Sequence, residues 1–288
     1  MSYRLTTDST ADLPQEFLTE RGISSIGLAF QIGGEEYREG PDLKMTSKEF
    51  YDQLREGKPS STVQVNTYEF IDFAEPFLAA GEDVLHIAFS SGLSGTYESC
   101  ARGAEELRAK YPDRKILVVD SLAASMGEGL LVYYADENRK AGMSIEDNYQ
   151  WLEENKLHLC HWFTVDDLNH LKRGGRINAA TALFGTMLAI KPVMHVDDEG
   201  RLIPVSKARG RKASLTALVD RMEATAIDPA GQTVFISHGD CLEDAEFVAG
   251  EVRRRLGVET VHINYVGPVI GNHSGPGTMA LFFLGSER

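Results

Sequence analysis

The sequence predicts an α/β protein of two domains: a parallel-sheet N-terminal domain, and a second α/β domain with a mixed sheet. Three observations carry that expectation. Short apolar runs alternate with amphipathic helical segments through the first half of the chain. Three of those runs end alike, at Thr7-Asp8-Ser9, Phe89-Ser90-Ser91 and Val119-Asp120-Ser121. In the second half, Lys191 to Val196 and Arg201 to Val205 flank Asp197-Asp198-Glu199-Gly200, a hairpin pattern that brings an antiparallel pair into the sheet. The boundary is expected near Asn155, giving units of residues 1–155 and 156–288.

Taken in order, Arg4 to Thr7 reads as a first strand, and Pro14 behind Asp12 starts a helix running to Arg21. Ile26 to Ile32 reads as one strand that Gly33-Gly34 turns back. Helices follow over Ser47 to Glu56 and Tyr68 to Ala80, with Pro59 to Thr67 as the segment between them. Val84 to Phe89 and Lys115 to Val119 are buried strands, separated by a helix from Tyr97 to Lys110. Helices fill Leu122 to Ala141 and Ile145 to Asn155, the second capped by Ser144. Beyond the boundary, His158 to Val165 is a strand and Asp166 to Leu171 a short helical turn. An uncharged run from Asn178 to Ile190 leads into the hairpin. A helix from Gly210 to Ala226, a strand from Thr233 to Ser237, a helix from Glu243 to Leu256 and a strand from Thr260 to Tyr265 precede a glycine-rich tail, Gly267 to Gly277.

The formal charge is −14 over 288 residues, and it is unevenly placed. Residues 1–150 carry 14 Lys+Arg against 26 Asp+Glu, and residues 151–288 carry 15 against 17. Such an acidic surface argues against nucleic acid or an anionic membrane as a partner. Cys100, Cys160 and Cys241 lie far apart and have no metal-type spacing. Met1-Ser2-Tyr3-Arg4 leads straight into a strand, and no run reaches the ~20 apolar residues of a membrane span. A cytoplasmic protein with no membrane span is expected.

The stretch Phe89-Ser90-Ser91-Gly92-Leu93-Ser94-Gly95-Thr96-Tyr97 joins a strand to a helix start through glycines and hydroxyls. Free amides and the positive end of a helix dipole suit an anion there. No charged side chain enters the loop, which favours a carboxylate or phosphate held by neutral donors. A serine cap on an ordinary strand-helix unit accounts for the same residues. The loop is not a nucleophile elbow, since Thr96 stands where a glycine is needed, and it matches neither phosphate-loop nor dinucleotide fingerprint. Ser237-His238-Gly239-Asp240 sits in one turn, whereas a triad needs a histidine from a separate loop. Asp8 and Asp120 are either helix-start caps or a pair that holds a metal.

Against the acidic background, Lys172 to Lys212 carries nine Lys+Arg and three acids. Either this is a solvated face that balances charge, or it docks a partner, with arginine engaging phosphate or carboxylate. His273, in a loop of glycines and prolines, suggests close approach to a ligand.

Thr7 to Pro14, Ser90 to Tyr97, Leu171-Lys172-Arg173-Gly174-Gly175-Arg176-Ile177, Lys207 to Lys212 and His273-Ser274-Gly275-Pro276-Gly277 together resemble the DegV family, in order and over essentially the whole chain. The resemblance implies a two-domain α/β lipid binder that holds a long-chain fatty acid in a tunnel between or within the domains. It also implies that the carboxyl group is presented to a separate fatty acid kinase that makes acyl phosphate. By the same resemblance Ser94 binds the carboxylate with Ser91, Gly95 and the loop amides beside it, together with Thr62 of Thr62-Val63-Gln64. Val63 departs from the family's Thr-Ser-Gln pattern and removes one hydroxyl. His273 joins the ligand site at the mouth, and Arg173, Arg176, Lys207 and Arg209 are the docking residues. Burying ~15 methylenes at ~0.8 kcal/mol each would contribute about 12 kcal/mol before association costs. The tail would then supply affinity and the head group orientation. The expectation is thus a non-catalytic binder with no cofactor and no metal. The competing reading is an enzyme acting on a small phosphorylated substrate at Ser90 to Thr96, with a metal on Asp8 and Asp120.

Overall fold

The computed structural model describes residues 3–178 and 190–288, and it is an α/β protein with one parallel, one mixed and one small antiparallel sheet. Most of the uncharged run after Asn178 lies outside the described residues. Strands β1 (Tyr3–Asp8), β2 (Ser24–Ile26), β6 (Asp83–Ala88) and β7 (Ile116–Asp120) form the parallel sheet in the order β2-β1-β6-β7. Register pairs Thr7 with Ile87, Ile87 with Val119 and Ala88 with Asp120, so the three similar strand ends do meet along one rim. On β6, Val84 and Ala88 face helices α3 (Thr67–Ala79) and α4 (Thr96–Lys110), while Leu85 and Ile87 face α5 (Met126–Lys140) and α6 (Ile145–Asn155). Asn66 begins α3 as a capping box with Glu69, as Thr46 does with Glu49 at the start of α2 (Ser47–Arg55).

The six-stranded mixed sheet runs β10-β9-β8-β13-β11-β12, with only β11 (Val234–His238) and β12 (Val261–Tyr265) parallel. Its other strands are β8 (Leu159–Thr164), β9 (Ile190–Val196), β10 (Leu202–Arg209) and β13 (Met279–Leu284). Helices α8 (Arg211–Thr225) and α9 (Leu242–Leu256) cover its outer face through Leu218, Val219, Val248 and Val252. The inner face, with Phe163, Phe235 and Phe282, packs in one core with Leu5, Ile87 and Val119 of the parallel sheet. Helix α5 fills the space between the sheets and is buried on nearly every side over its first eleven residues. At Gly127 a side chain would come 2.3 Å from His161 Nε2, so the close approach of sheet to helix requires glycine there. All strands of the parallel and the small antiparallel sheets precede residue 121 and those of the mixed sheet follow residue 158. On that ground we propose the division near Asn155, although the two sides share this core.

Four details depart from the sequence expectation. Ile26 to Ile32 is not one strand: the chain leaves the parallel sheet at Ile26 and enters the small antiparallel sheet as β3 (Ala29–Ile32). The order there is β4-β3-β5, with β4 at Glu35–Arg38. The separator Pro59 to Thr67 contains β5 (Ser60–Val63), where Thr62 pairs with Phe30. The glycine-rich tail folds as a short helix, α10 (Pro268–Ser274), and the apolar run after it is β13, an inner strand of the mixed sheet. The helix expected from Leu122 begins only at Met126, because Leu122 and Ser125 adopt positive φ (49° and 55°).

Four buried carboxylates tie these pieces together at the carboxyl edge of β1. Asp8 accepts from the Thr10 amide (3.0 Å) and from the Phe89 amide (2.8 Å). The Thr10 hydroxyl lies 2.5 Å from Asp8 Oδ1 and 2.9 Å from Glu128 Oε2. One hydroxyl hydrogen serves only one of these contacts, so the other needs a proton on a carboxyl group. Burial and the Asp8 charge raise the Glu128 pKa well above the ordinary range. Asp12 accepts from the Ser125 hydroxyl, and Glu39 from the Ser9 hydroxyl (2.5 Å) and the Val269 amide (2.8 Å) on α10.

Burial pushes Glu39 up to about 7, from 4.5 in the unfolded chain. Between those values the folded protein holds a proton the unfolded chain has released, so stability falls as pH rises. Relative to Glu39→Gln, the wild type is expected to lose about 3 kcal/mol from pH 4.5 to 7. Urea unfolding of both proteins across that window checks it, and a constant difference would mean that Glu39 folds ionised.

Candidate functional site

A cavity of about 330 Å³ lies between the inner face of the mixed sheet and the carboxyl edge of the parallel sheet. Among the described residues its floor is Phe163, Ala280 and Phe282, and its roof includes Phe89, Leu93 and Ala124. Polar side chains gather at one end: Thr62, Gln64, Ser94, Arg176 and His273.

Each arrives there for a local reason. Thr62 stands on edge strand β5, and its hydroxyl lies 2.9 Å from His273 Nε2 in the last turn of α10. Burial, and secondarily the Arg176 charge, lower the His273 pKa to about 4, so the ring is neutral at pH 7. With the proton on Nε2 the ring donates to Thr62 and leaves the threonine hydrogen for a ligand oxygen. The ring packs over Gly174, where a side chain would come 2.1 Å from Nδ1. Helix α7 (Leu168–Arg173) ends in Gly174-Gly175, with Gly175 at φ 71°, and the Arg176 amide returns to the Leu171 carbonyl at 3.0 Å. That turn swings Arg176 inward: its Nε donates to the Leu93 carbonyl (3.3 Å) and its Nη1 to the Gly174 carbonyl. Arg173, three residues earlier, stays exposed with Nη2 2.9 Å from His170 Nδ1.

The Ser90 to Thr96 loop lacks the free amides that the sequence led one to expect. Every amide from Phe89 to Thr96 is already engaged, among them Ser91 to Asp120 (3.1 Å), Gly95 to Gln64 (3.1 Å) and Thr96 to the Ser94 hydroxyl (3.2 Å). What this end of the cavity offers an anion is therefore side chains: Ser94, Thr62, His273 and the cation Arg176. Ser91 and Gly95 support the loop but do not line the cavity. Lys207 and Arg209 are exposed on β10, away from the lining. Asp166, two residues before α7, bonds Lys191 on β9 at 2.6 Å and stands 3.7 Å from Arg211 at the start of α8.

The competing chemistry finds little support. Asp120 accepts from the Ser91 and Leu122 amides at 3.1 Å each, and Asp8 is held as described. Among the described residues no group of three or more His, Cys, Asp or Glu is placed to hold a metal. His238 Nδ1 accepts from the Cys241 amide (3.1 Å) and Asp240 bonds Arg55 (2.5 Å), so that turn builds no triad. Sequence reasoning missed the inward role of Arg176; the double glycine before it was the available signal.

The model of the DegV family, described as uncharacterised proteins, matches residues 2–286. A DegV domain-containing protein of Clostridium perfringens is 48% identical over 282 residues, 98% of this chain and 97% of that one. A DegV family structure from Thermus thermophilus, described for its fatty acid binding, has a TM-score of 0.88 at 31% identity, covering 99% of this chain and 100% of that one. DegV of Bacillus subtilis, described as a fatty acid binding protein, has a TM-score of 0.84 at 30% identity, covering 99% and 100%. No helix among the described residues is long and apolar enough to cross a membrane.

By proton NMR, His273 is expected to titrate near pH 4. Arg176→Ala should raise that value yet leave it below the ordinary 6.5, because burial is the larger cause. Titration near 6.5 in the unchanged protein would contradict the buried placement.

Proposed function

The chain belongs to the DegV family, and on that premise we propose that it binds a long-chain fatty acid and presents the carboxyl group to a separate fatty acid kinase. The observation that carries this reading is the cavity itself: a largely apolar trough between two sheets, with Thr62, Ser94, Arg176 and His273 gathered at one end. Its volume is at the lower end of the range for small-molecule sites. The apolar walls take the tail, and Thr62, Ser94 and His273 take the carboxylate, with Arg176 supplying the charge that neutral donors lack. Ser91 and Gly95 hold the loop in shape behind them. The chain itself performs no chemistry in this reading and needs no cofactor; the kinase supplies phosphoryl transfer. Arg173, Lys207 and Arg209 form the outer basic surface for that partner, within a cytoplasmic setting. The engaged amides of the Ser90 to Thr96 loop disfavour a phosphorylated substrate, which would need them free. Mass spectrometry of an organic extract of the purified protein tests the proposal. A stoichiometric fatty acid is expected, and an empty protein that binds inorganic phosphate would overturn it.

Thr62→Ala and Ser94→Ala should each weaken binding of a fluorescent fatty acid by about 1.5–3 kcal/mol, one hydrogen bond to a charged group. If the double variant binds like the wild type, the head group lies elsewhere.

Arg173→Ala should bind fatty acid normally but form acyl phosphate slowly with a kinase subunit and ATP, as the wild type does in added salt. Full activity at saturating fatty acid would make that arginine an ordinary solvated residue.

A further inference from the structure

Strand register gives the cavity a direction. Its row nearest the polar end is Phe163, Ala280 and Ser237, paired in turn across β8, β13 and β11. The next lining row is Leu202, Val196, His161 and Phe282: Leu202 pairs with Val196 and His161 with Phe282. The β8–β9 register, Trp162 opposite His195, carried one residue further sets His161 opposite Val196. One row beyond comes Leu159 opposite Leu284, and neither lines the cavity.

At that outer row sits Arg288. Its Nε donates to the Leu159 carbonyl (3.2 Å), its Nη1 to the Asp197 carbonyl (3.2 Å) and its Nη2 to the Leu122 carbonyl (2.6 Å). The first two belong to β8 and to the residue that follows β9, on the floor side. The third precedes Ala124 and Ser125, which form part of the roof. A single side chain thus bridges floor and roof where the lining stops. Burial pulls its pKa down to about 10, so it remains charged at neutral pH. Beside it the hairpin tip is fastened to the roof as well, the Ser90 hydroxyl donating to the Gly200 carbonyl at 2.9 Å.

We propose that Arg288 is a specificity-determining positioning residue: it staples the deep end of the cavity and thereby sets the longest acyl chain that fits. The inference rests on the fatty acid reading above. A chain gains about fourfold in affinity per buried methylene until its end meets the staple, and further carbons then cost affinity.

The experiment titrates saturated acids from 12 to 22 carbons, in steps of two, into wild type and Arg288→Ala. The wild type should tighten with length and then weaken at least tenfold at the first acid past its limit. Arg288→Ala should bind the shorter acids within about threefold of wild type and carry the limit at least two carbons further. The same limit in both proteins overturns the proposal. Failure of every acid to bind either protein overturns the fatty acid reading instead. So that the test does not depend on folding of the variant, the unchanged protein is also labelled with an acid bearing a photoreactive group at its methyl end. Crosslinks at residues 120–124, 195–202 or 284–288 are expected; crosslinks only elsewhere place the deep end away from Arg288 and overturn the proposal.

Discussion

Buried carboxylates at the end of the first strand are the constraint on which the rest of this structure depends. Asp8, Asp12, Glu39 and Glu128 sit together in the interior, and among the described residues none forms an ion pair. Removing such charges from water costs far more than a hydrogen bond returns, so the group persists by holding protons and accepting from hydroxyls and amides. Those bonds are what connect the chain. Asp8 holds the start of the Ser90 to Thr96 loop, Glu128 belongs to α5, and Glu39 fastens the first turn of α10. His273 lies at the other end of that short helix and Ser94 in that loop, so two of the side chains at the polar end of the cavity inherit their positions from the network.

The site uses little of the machinery that strand-to-helix loops usually offer an anion. Its amides are spent on the loop's own shape, which makes Ser94 a presented hydroxyl in place of a backbone cradle. The polar end of the cavity is made instead by a few side chains from distant segments. Thr62, His273 and Arg176 meet only because β5, α10 and the turn after α7 pack at one corner.

That dispersal explains which parts were legible in the sequence. The parallel sheet and its common rim were readable, because short apolar runs with similar polar ends leave a local trace. The hairpin was readable for the same reason, from Asp197 to Gly200. Strand β5 was not: Ser60-Ser61-Thr62-Val63 has the composition of a loop and becomes a strand only by pairing with β3. Strand β13 was legible in principle, six apolar residues between glycines, but the glycine-rich stretch ahead of it drew the eye. Arg176 reads as one more surface cation, and only the turn at Gly175 reverses its direction. The engagement of the Ser91 and Gly95 amides has no local sequence signature, since their acceptors, Asp120 and Gln64, lie about thirty residues away.

Helix α5 belongs to neither sheet alone. Leu130, Leu131 and Ala135 share a core with Ile87 on one side and with Phe235 and Phe282 on the other. A molecule built this way has no natural seam: parting the sheets would expose apolar surface on both, whichever side kept the helix. The cavity is thus a partly open trough whose two walls share a core, unlike the cleft between hinged lobes. Anything entering such a trough would pass along its open side while the walls keep their spacing, so entry would call for no parting of the sheets.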